Sequence, residues 1–69
     1  MNYLIELNAF IKLIGIADTG GKAKQVIRSG VVYVNGVVET RNKKKLCADD
    51  VISVEGKEYV VGEVLNGKR

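Results

Sequence analysis

The stretch from Gly20 to Gly36, GGKAKQVIRSGVVYVNG, constrains the fold of this chain more than any other feature. It predicts a helix, a glycine that ends the helix and a tight β-hairpin in direct succession. Gly30 follows the last helical residue, where the left-handed backbone conformation favours glycine. Asn35 and Gly36 tolerate the positive φ angles of a type I′ turn, and they follow a β-branched and aromatic run. We therefore expect the helix and the hairpin to be joined without a connecting loop.

The predicted helix has a distinctive N-terminus. Thr19 can serve as the N-cap, because its hydroxyl can accept a hydrogen bond from a backbone N–H one turn into the helix. Gly20 and Gly21 then place no side chains over the first amides. Bare amides at a helix N-terminus form a site for an anion.

The two faces of this helix differ in chemistry. At about 100° per residue, one face is apolar and carries Ala23, Val26 and Ile27. Lys24 and Arg28 lie on the opposite face, with Lys22 beside them, and no acid occurs between Lys22 and Gly36. Lys24 and Arg28 repel each other at this spacing. A polyanionic partner would relieve that repulsion; the alternative is that these cations are only the solvated side of an amphipathic helix.

Several of these residues fit a family pattern: Thr19, Ala23, Ile27, Gly30, Val32, Val34, Asn35 and Gly36. The pattern is Ser/Thr-x-x-x-Ala-x-x-x-Ile-x-x-Gly-x-Val-x-Val-Asn-Gly. It resembles that of the RNA-binding domain named after the fourth protein of the small ribosomal subunit, here called the S-four domain.

The resemblance extends over about Leu4 to Val61. Further matches to the family are Arg41, the run Lys44-Lys45-Leu46 and the segment Asp50-x-Ile52-x-Val54. The first helix of the family is matched by Leu7, Phe10, Ile11 and Lys12. The whole chain is similar to the small free-standing S-four-like proteins of bacteria. It departs from the family at Gly20, where many members have arginine, and at Asp49, where many have glycine. The second departure requires Asp49 to adopt an unusual turn conformation, which aspartate accepts more readily than most residues.

The resemblance implies an α+β fold with the αL RNA-binding motif. Two packed N-terminal helices are expected, followed by a small, mostly antiparallel sheet with hairpins. Helix two and a basic loop after the first hairpin would form an L-shaped cationic surface that binds structured RNA. Ribosomal RNA or a ribosomal particle is the partner class that the resemblance implies.

Length and composition favour one small domain. With 69 residues the chain has room for a single modest core, so we expect one domain over 1–69, with its core at about 4–61 and a frayed tail at 65–69. A lone cysteine, Cys47, cannot form an internal disulfide, which argues for a reducing, cytoplasmic setting. No apolar run approaches the ~20 residues of a membrane span, and the N-terminus lacks the features of a signal peptide.

The formal net charge of +3 conceals a segregation of charge. The segment between Gly20 and Leu46 contains seven basic residues and one acid, which gives a local net charge of +6. The segment between Cys47 and Val64 contains five acids and one lysine, which gives a local net charge of −4. This distribution predicts a basic end and an acidic end, as expected for a protein that orients itself on a polyanion.

The first helix is predicted from an apolar stripe of residues: Leu7, Phe10, Ile11 and Ile14, widened by Leu13. It is expected to end near Gly15, after a short edge strand at Tyr3 to Ile5. Asn8 and Lys12 lie on its polar side. Solvation is the expected role of Asn8, whereas Lys12 could equally be solvated or contact RNA. Asp18, in the short connection to helix two, is interpreted as a secondary cap.

The remainder of the chain is predicted as strands and turns. Val37 and Val38 begin the return strand of the first hairpin, and Leu46 enters the core after a basic loop. Asp49-Asp50 predicts a turn. Glu55-Gly56 predicts a second hairpin, between a strand at 51–54 with Ile52 and Val54 inward and a return at 57–61.

The candidate RNA-binding residues are Lys12, Gly20, Gly21, Lys22, Lys24, Arg28, Arg41, Lys43, Lys44 and Lys45. A charge run such as 43–45 is commonly a solvated surface, but its position after a hairpin that follows a basic helix favours RNA contact. Tyr33 could stack on a base or cover a sheet edge, and the sequence favours the second role.

Nothing in the sequence predicts catalysis. The chain has no histidine, Cys/His pair or phosphate-binding loop, and it predicts no metal site, cofactor or small-molecule substrate. We expect a monomeric RNA-binding protein and not an enzyme. The alternative is a protein-interaction module whose basic face docks an acidic protein.

Overall fold

The computed structural model describes residues 3–67, which form three helices and two antiparallel sheets. The helices are α1 (Leu7–Leu13), α2 (Gly20–Arg28) and α3 (Val61–Leu65). The strands are β1 (Ile5–Glu6), β2 (Tyr33–Val34), β3 (Val37–Val38), β4 (Lys45–Leu46), β5 (Val51–Val54) and β6 (Lys57–Val60). The predicted α+β architecture, with two packed helices before a small antiparallel sheet, is confirmed.

The larger sheet has four strands in the order β3-β2-β5-β6. Both of its hairpins turn where the sequence predicts. Asn35 and Gly36 have φ angles of 53° and 82°, and Glu55 and Gly56 have φ angles of 55° and 75°. Two consecutive positive φ angles are what a type I′ turn requires.

The second sheet consists of β1 and β4, with Ile5 paired to Leu46 and Glu6 to Lys45. An edge strand was predicted at Tyr3 to Ile5, but the strand is shorter and lies at Ile5–Glu6. The backbone N–H of Leu4 also donates to the carbonyl of Leu46, at 2.8 Å. This sheet joins the start of the chain to the end of the basic loop.

The core lies between the helices and the inner face of the larger sheet. Its fully buried large side chains are Phe10, Leu7, Ile11, Ile27, Leu46, Ile52, Val32 and Val61. Phe10 of α1 meets Tyr59 of β6 edge to face, with ring centroids 6.4 Å apart, so the first helix is packed on the last strand. Leu13, predicted to widen the apolar stripe of α1, is instead exposed.

The turn at 47–50 differs from the prediction in its backbone. Among residues 3–67, only Asn35 and Glu55 have positive φ angles outside glycine, so the unusual conformation expected of Asp49 is absent and that prediction was wrong. The turn is closed by other means. The N–H of Asp50 donates to the carbonyl of Cys47, and the N–H of Cys47 donates to the Asp50 carboxylate at 2.7 Å.

Helix α3 was not predicted. The return strand ends at Val60 instead of Val61, and a short helix follows it to Leu65. The N–H of Asn66 still donates to the carbonyl of Gly62, so the predicted tail begins within this helix. Lys68 and Arg69, the end of that predicted tail, lie outside the described residues.

Candidate nucleic-acid interface

Helix α2 begins as the sequence predicts. Thr19 is the N-cap, and its hydroxyl accepts from the N–H of Lys22 at 3.1 Å. The first turn of the helix contains no acid, and a Cβ built on Gly20 or Gly21 would meet no atom within 4 Å. The first amides of α2 are therefore open to solvent on their outer side, with the positive end of the helix dipole behind them.

The cations of α2 lie on its exposed side, opposite the buried Ala23 and Ile27. Lys24 and Arg28 have the i, i+4 spacing at which like charges destabilise a helix by roughly 0.2–0.5 kcal/mol. Arg28 lies in the last turn, where the helix dipole favours a cation. Among the described residues no acid pairs with Lys24 or Arg28, so both charges face solvent uncompensated.

Lys22 differs from the other cations of this helix. Its Nζ lies 3.3 Å from a carboxylate oxygen of Asp18, four residues earlier, and both side chains are exposed. Asp18 was interpreted as a secondary cap, but this contact makes it the ion-pair partner of Lys22. An exposed pair of this kind contributes little to stability, so Lys22 can exchange Asp18 for a phosphate at small cost.

The second cationic segment is the basic loop, residues 39–45, which follows β3; its last residue, Lys45, is already the first residue of β4. Arg41 donates to both carboxylate oxygens of Glu39, from Nε at 3.0 Å and from a terminal nitrogen at 3.2 Å. The backbone N–H of Arg41 donates to the same carboxylate at 2.9 Å. The side-chain and backbone hydrogen bonds from Arg41 hold the pKa of Glu39 below its usual value. Arg41 is thus a structural clamp for the loop as well as an exposed cation.

The basic loop is fastened to the start of α1. Helix α1 has no side-chain N-cap; instead the N–H groups of Leu7 and Asn8 donate to the carbonyls of Lys44 and Asn42, at 2.8 and 3.0 Å. The amides at this helix end are therefore satisfied by the loop. Asn8, predicted to be solvated, is half-buried at this junction. Because α1 also packs against α2, it connects the two cationic segments.

Four of the predicted cations surround one open cavity of about 380 Å³: Arg41, Lys43, Lys44 and Lys45. Lys43 and Lys45 are exposed and Lys44 is half-buried. The Nζ of Lys45 lies 5.4 Å from the ring centroid of Tyr3, which is a cation–π distance. The walls of this cavity are cationic and no acid lines it, so its chemistry suits a phosphate group.

Lys12 stands apart from the other predicted residues. It is exposed in the last turn of α1, where a cation is stabilised by the carbonyl end of the helix. That local role accounts for a lysine at this position, and its predicted contact with RNA stays a prediction.

Asn35 has a second role that the sequence analysis missed. Its side-chain nitrogen donates to Asp50 at 3.0 Å, and its side-chain oxygen accepts from the N–H of Val51 at 2.9 Å. The backbone N–H of Asn35 also donates to the carbonyl of Val51 at 2.8 Å. The first hairpin turn is thereby fixed to the 47–50 turn, which places the hairpin that leads into the basic loop.

Within residues 3–67, no three side chains of the metal-ligating types lie close enough together to hold a metal ion. No helix in the same range is long and apolar enough to cross a bilayer.

Comparison with known proteins gives a consistent result. The family model of the S4 domain, which is the S-four domain, matches residues 2–62 of this chain. A protein of Escherichia coli (strain K12) named "Putative RNA-binding protein YbcJ" is 40% identical over 52 residues, which cover 75% of this chain and 74% of that protein. "Probable ribosome maturation protein RlbA" of Bacillus subtilis (strain 168) is 36% identical over 53 residues, which cover 77% of this chain and 75% of that protein.

Proposed function

This chain belongs to the S4 domain family, and we propose that it binds structured RNA through the exposed face of α2 and the basic loop. The observation that carries the proposal is the distribution of cations. Lys24 and Arg28 have no acidic partner among the described residues, and four further cations surround one cavity. Solvated surfaces of stable proteins usually intersperse both signs of charge, whereas a surface on which cations clearly outnumber acids attracts a polyanion.

The chemistry of this surface suits double-stranded RNA. The major groove of A-form RNA is too narrow for side chains to enter, so recognition depends on phosphates, 2′-hydroxyl groups and helix shape. The lysines of the basic loop provide point charges for phosphates. The bare amides at Gly20 and Gly21 provide donors for a phosphate oxygen. None of these groups reads base identity, so we propose recognition of RNA shape.

Ribosomal RNA, or a ribosomal particle, is the partner that we propose. One relative carries "ribosome maturation" in its name, and another carries "RNA-binding". A small rigid domain with one basic end is suited to orienting on a large folded RNA, because its acidic end is repelled from the same surface. We propose that the chain acts as a single domain and as a monomer on this partner.

Co-sedimentation with ribosomal particles tests the proposal. The protein is expected to sediment with ribosomal subunits at low salt, to be released by raised salt, and to be released by RNase treatment. Sedimentation that persists after complete RNA digestion would contradict the proposal and favour docking of the basic face on an acidic protein.

A further inference from the structure

A second depression, of about 400 Å³, lies on the outer face of the larger sheet, beside the end of α2. It is lined by Gly30, Val31, Tyr33, Ser53, Val54, Glu55 and Gly56. Two apolar side chains in it face water: Val31 is 48% and Tyr33 is 42% exposed. The sequence favours Tyr33 as the cover of a sheet edge, but β2 is an inner strand of this sheet, between β3 and β5.

The strand pairing defines the surroundings of Tyr33. Tyr33 is opposite Val38 on one side and Ser53 on the other, and Ser53 is opposite Glu58. Paired residues of antiparallel strands project from the same face, so these side chains form one row across the sheet. The row runs from an apolar end at Val38 to an acidic end at Glu58.

The charges around the depression disfavour a phosphate but not a neutral aromatic group. Glu55 lines the depression and Glu58 ends the row, whereas no cation is among the lining residues. An exposed tyrosine ring on a sheet is the kind of surface on which RNA-binding domains stack unpaired bases. Gly30 and Gly56 leave two sides of the depression without side chains, so a flat ring can enter from the edge.

The depression lies within reach of the proposed phosphate site. Gly30, on its rim, is two residues beyond Arg28, so their Cα atoms are at most about 7 Å apart. The rim of the depression is therefore next to the end of α2 that carries Arg28, so one nucleotide bound there could direct its phosphate to Arg28 and its base to Tyr33. A cation for the phosphate beside an aromatic ring for the base is the combination by which proteins bind single-stranded nucleic acids.

We propose that this depression binds one unpaired nucleobase of the RNA, stacked on Tyr33, next to the duplex held by α2 and the basic loop. The inference rests on the proposed function and extends it. It assigns the protein a preference for RNA in which a helix is interrupted by a loop, a bulge or a free end. The cationic surface alone would bind an uninterrupted helix equally well.

The test compares two RNA probes with two variants. One probe is a stem-loop, and the other is the same stem as a blunt duplex without unpaired bases. Tyr33→Ala is expected to weaken binding to the stem-loop by about 5-fold to 150-fold, the range that loss of one stacked base implies. Its affinity for the duplex should change less than about 2-fold. Tyr33→Phe keeps the stacking ring and should bind both probes like the unmodified protein.

Val38→Ala is the matched control, because Val38 is opposite Tyr33 on the same face and is similarly exposed. It should leave both affinities unchanged. Equal losses on the two probes for Tyr33→Ala, or no loss on either, would overturn the inference. A stem-loop loss of the same size for Val38→Ala would also overturn it, since the face would then be a broad apolar docking surface. If the unmodified protein binds neither probe, the proposed function itself fails.

Discussion

At the scale of single residues, Asn35 shows how one side chain serves both a local and a distant purpose. Its φ of 53° satisfies the turn, and its amide group bonds to Asp50 and Val51 across 15 and 16 residues of sequence. Glycine would satisfy the turn equally well, but it cannot make the second set of contacts. The side-chain contacts explain why asparagine occupies the first turn position and glycine the second.

Asn35→Gly is therefore expected to destabilise the protein, although glycine suits a positive φ better than any other residue. Two side-chain hydrogen bonds are lost, each contributing about 0.5–1.5 kcal/mol, so a net loss of about 1 kcal/mol in the free energy of unfolding is expected after relief of the turn strain. Urea denaturation measures it. A double-mutant cycle with Asp50→Ala isolates the contribution of the Asn35–Asp50 hydrogen bond to stability. A neutral or stabilising effect of Asn35→Gly would show that only the turn conformation of residue 35 contributes.

At the scale of elements, α3 is stabilised by close packing against the 47–50 turn and not by helix propensity. It has five residues and no side-chain cap at its start. The N–H of Gly62 donates to the carbonyl of Ala48 at 2.9 Å, and a Cβ on Gly62 would lie 3.0 Å from the Ala48 side chain and 3.1 Å from that carbonyl. Helix α3 thus lies against the 47–50 turn because residue 62 has no side chain.

The matched pair Gly62→Ala and Gly21→Ala tests this packing. Both replace a helical glycine by alanine, which on an open helix surface stabilises by roughly 0.5–1 kcal/mol. Gly21 has open space around it, so Gly21→Ala should raise the thermal midpoint. Gly62→Ala should lower the midpoint, because Ala48 or the helix must move. An increase for both variants would show that α3 is not packed as described.

The elements divide into those with a local signal and those without one. Thr19, the Gly30 stop and the Asn35-Gly36 turn each act within a few residues, so α2 and the first hairpin turn could be predicted from sequence. The predicted direct junction between them was wrong, because β2 begins only at Tyr33 and residues 29–32 connect it to α2. Helix α3 could not be predicted, because five residues are too few to distinguish helical from strand periodicity. The carbonyls of the basic loop that cap α1 were equally unpredictable, since they depend on contacts between distant segments.

At the scale of the whole molecule, the sequence predicts where the candidate cations lie along the chain but not how they pair. In the structure Lys22, Lys24 and Arg28 lie on α2, as expected, whereas Lys45 of the predicted loop belongs to β4; that these cations bind RNA stays a prediction. The sequence could not show that Glu39 clamps Arg41, that Asp18 pairs with Lys22 or that α1 bridges the two segments. Fixing the loop before RNA arrives reduces the ordering cost of binding, so we expect the cationic surface to bind with little rearrangement.

Charge reversal at two matched lysines tests whether position, and not net charge, controls RNA binding. Lys24→Glu and Lys57→Glu change the net charge equally, and both side chains are exposed, one on α2 and one on β6 in the acidic half. Lys24→Glu should flatten the log–log dependence of RNA affinity on salt by about one unit, since one phosphate contact is lost. It should leave the fold intact, because it also relieves the repulsion from Arg28. Lys57→Glu should leave the slope unchanged and retain most of the affinity. Equal losses in the two variants would mean that binding follows overall charge, and the surface formed by α2 and the basic loop would then not be the RNA site.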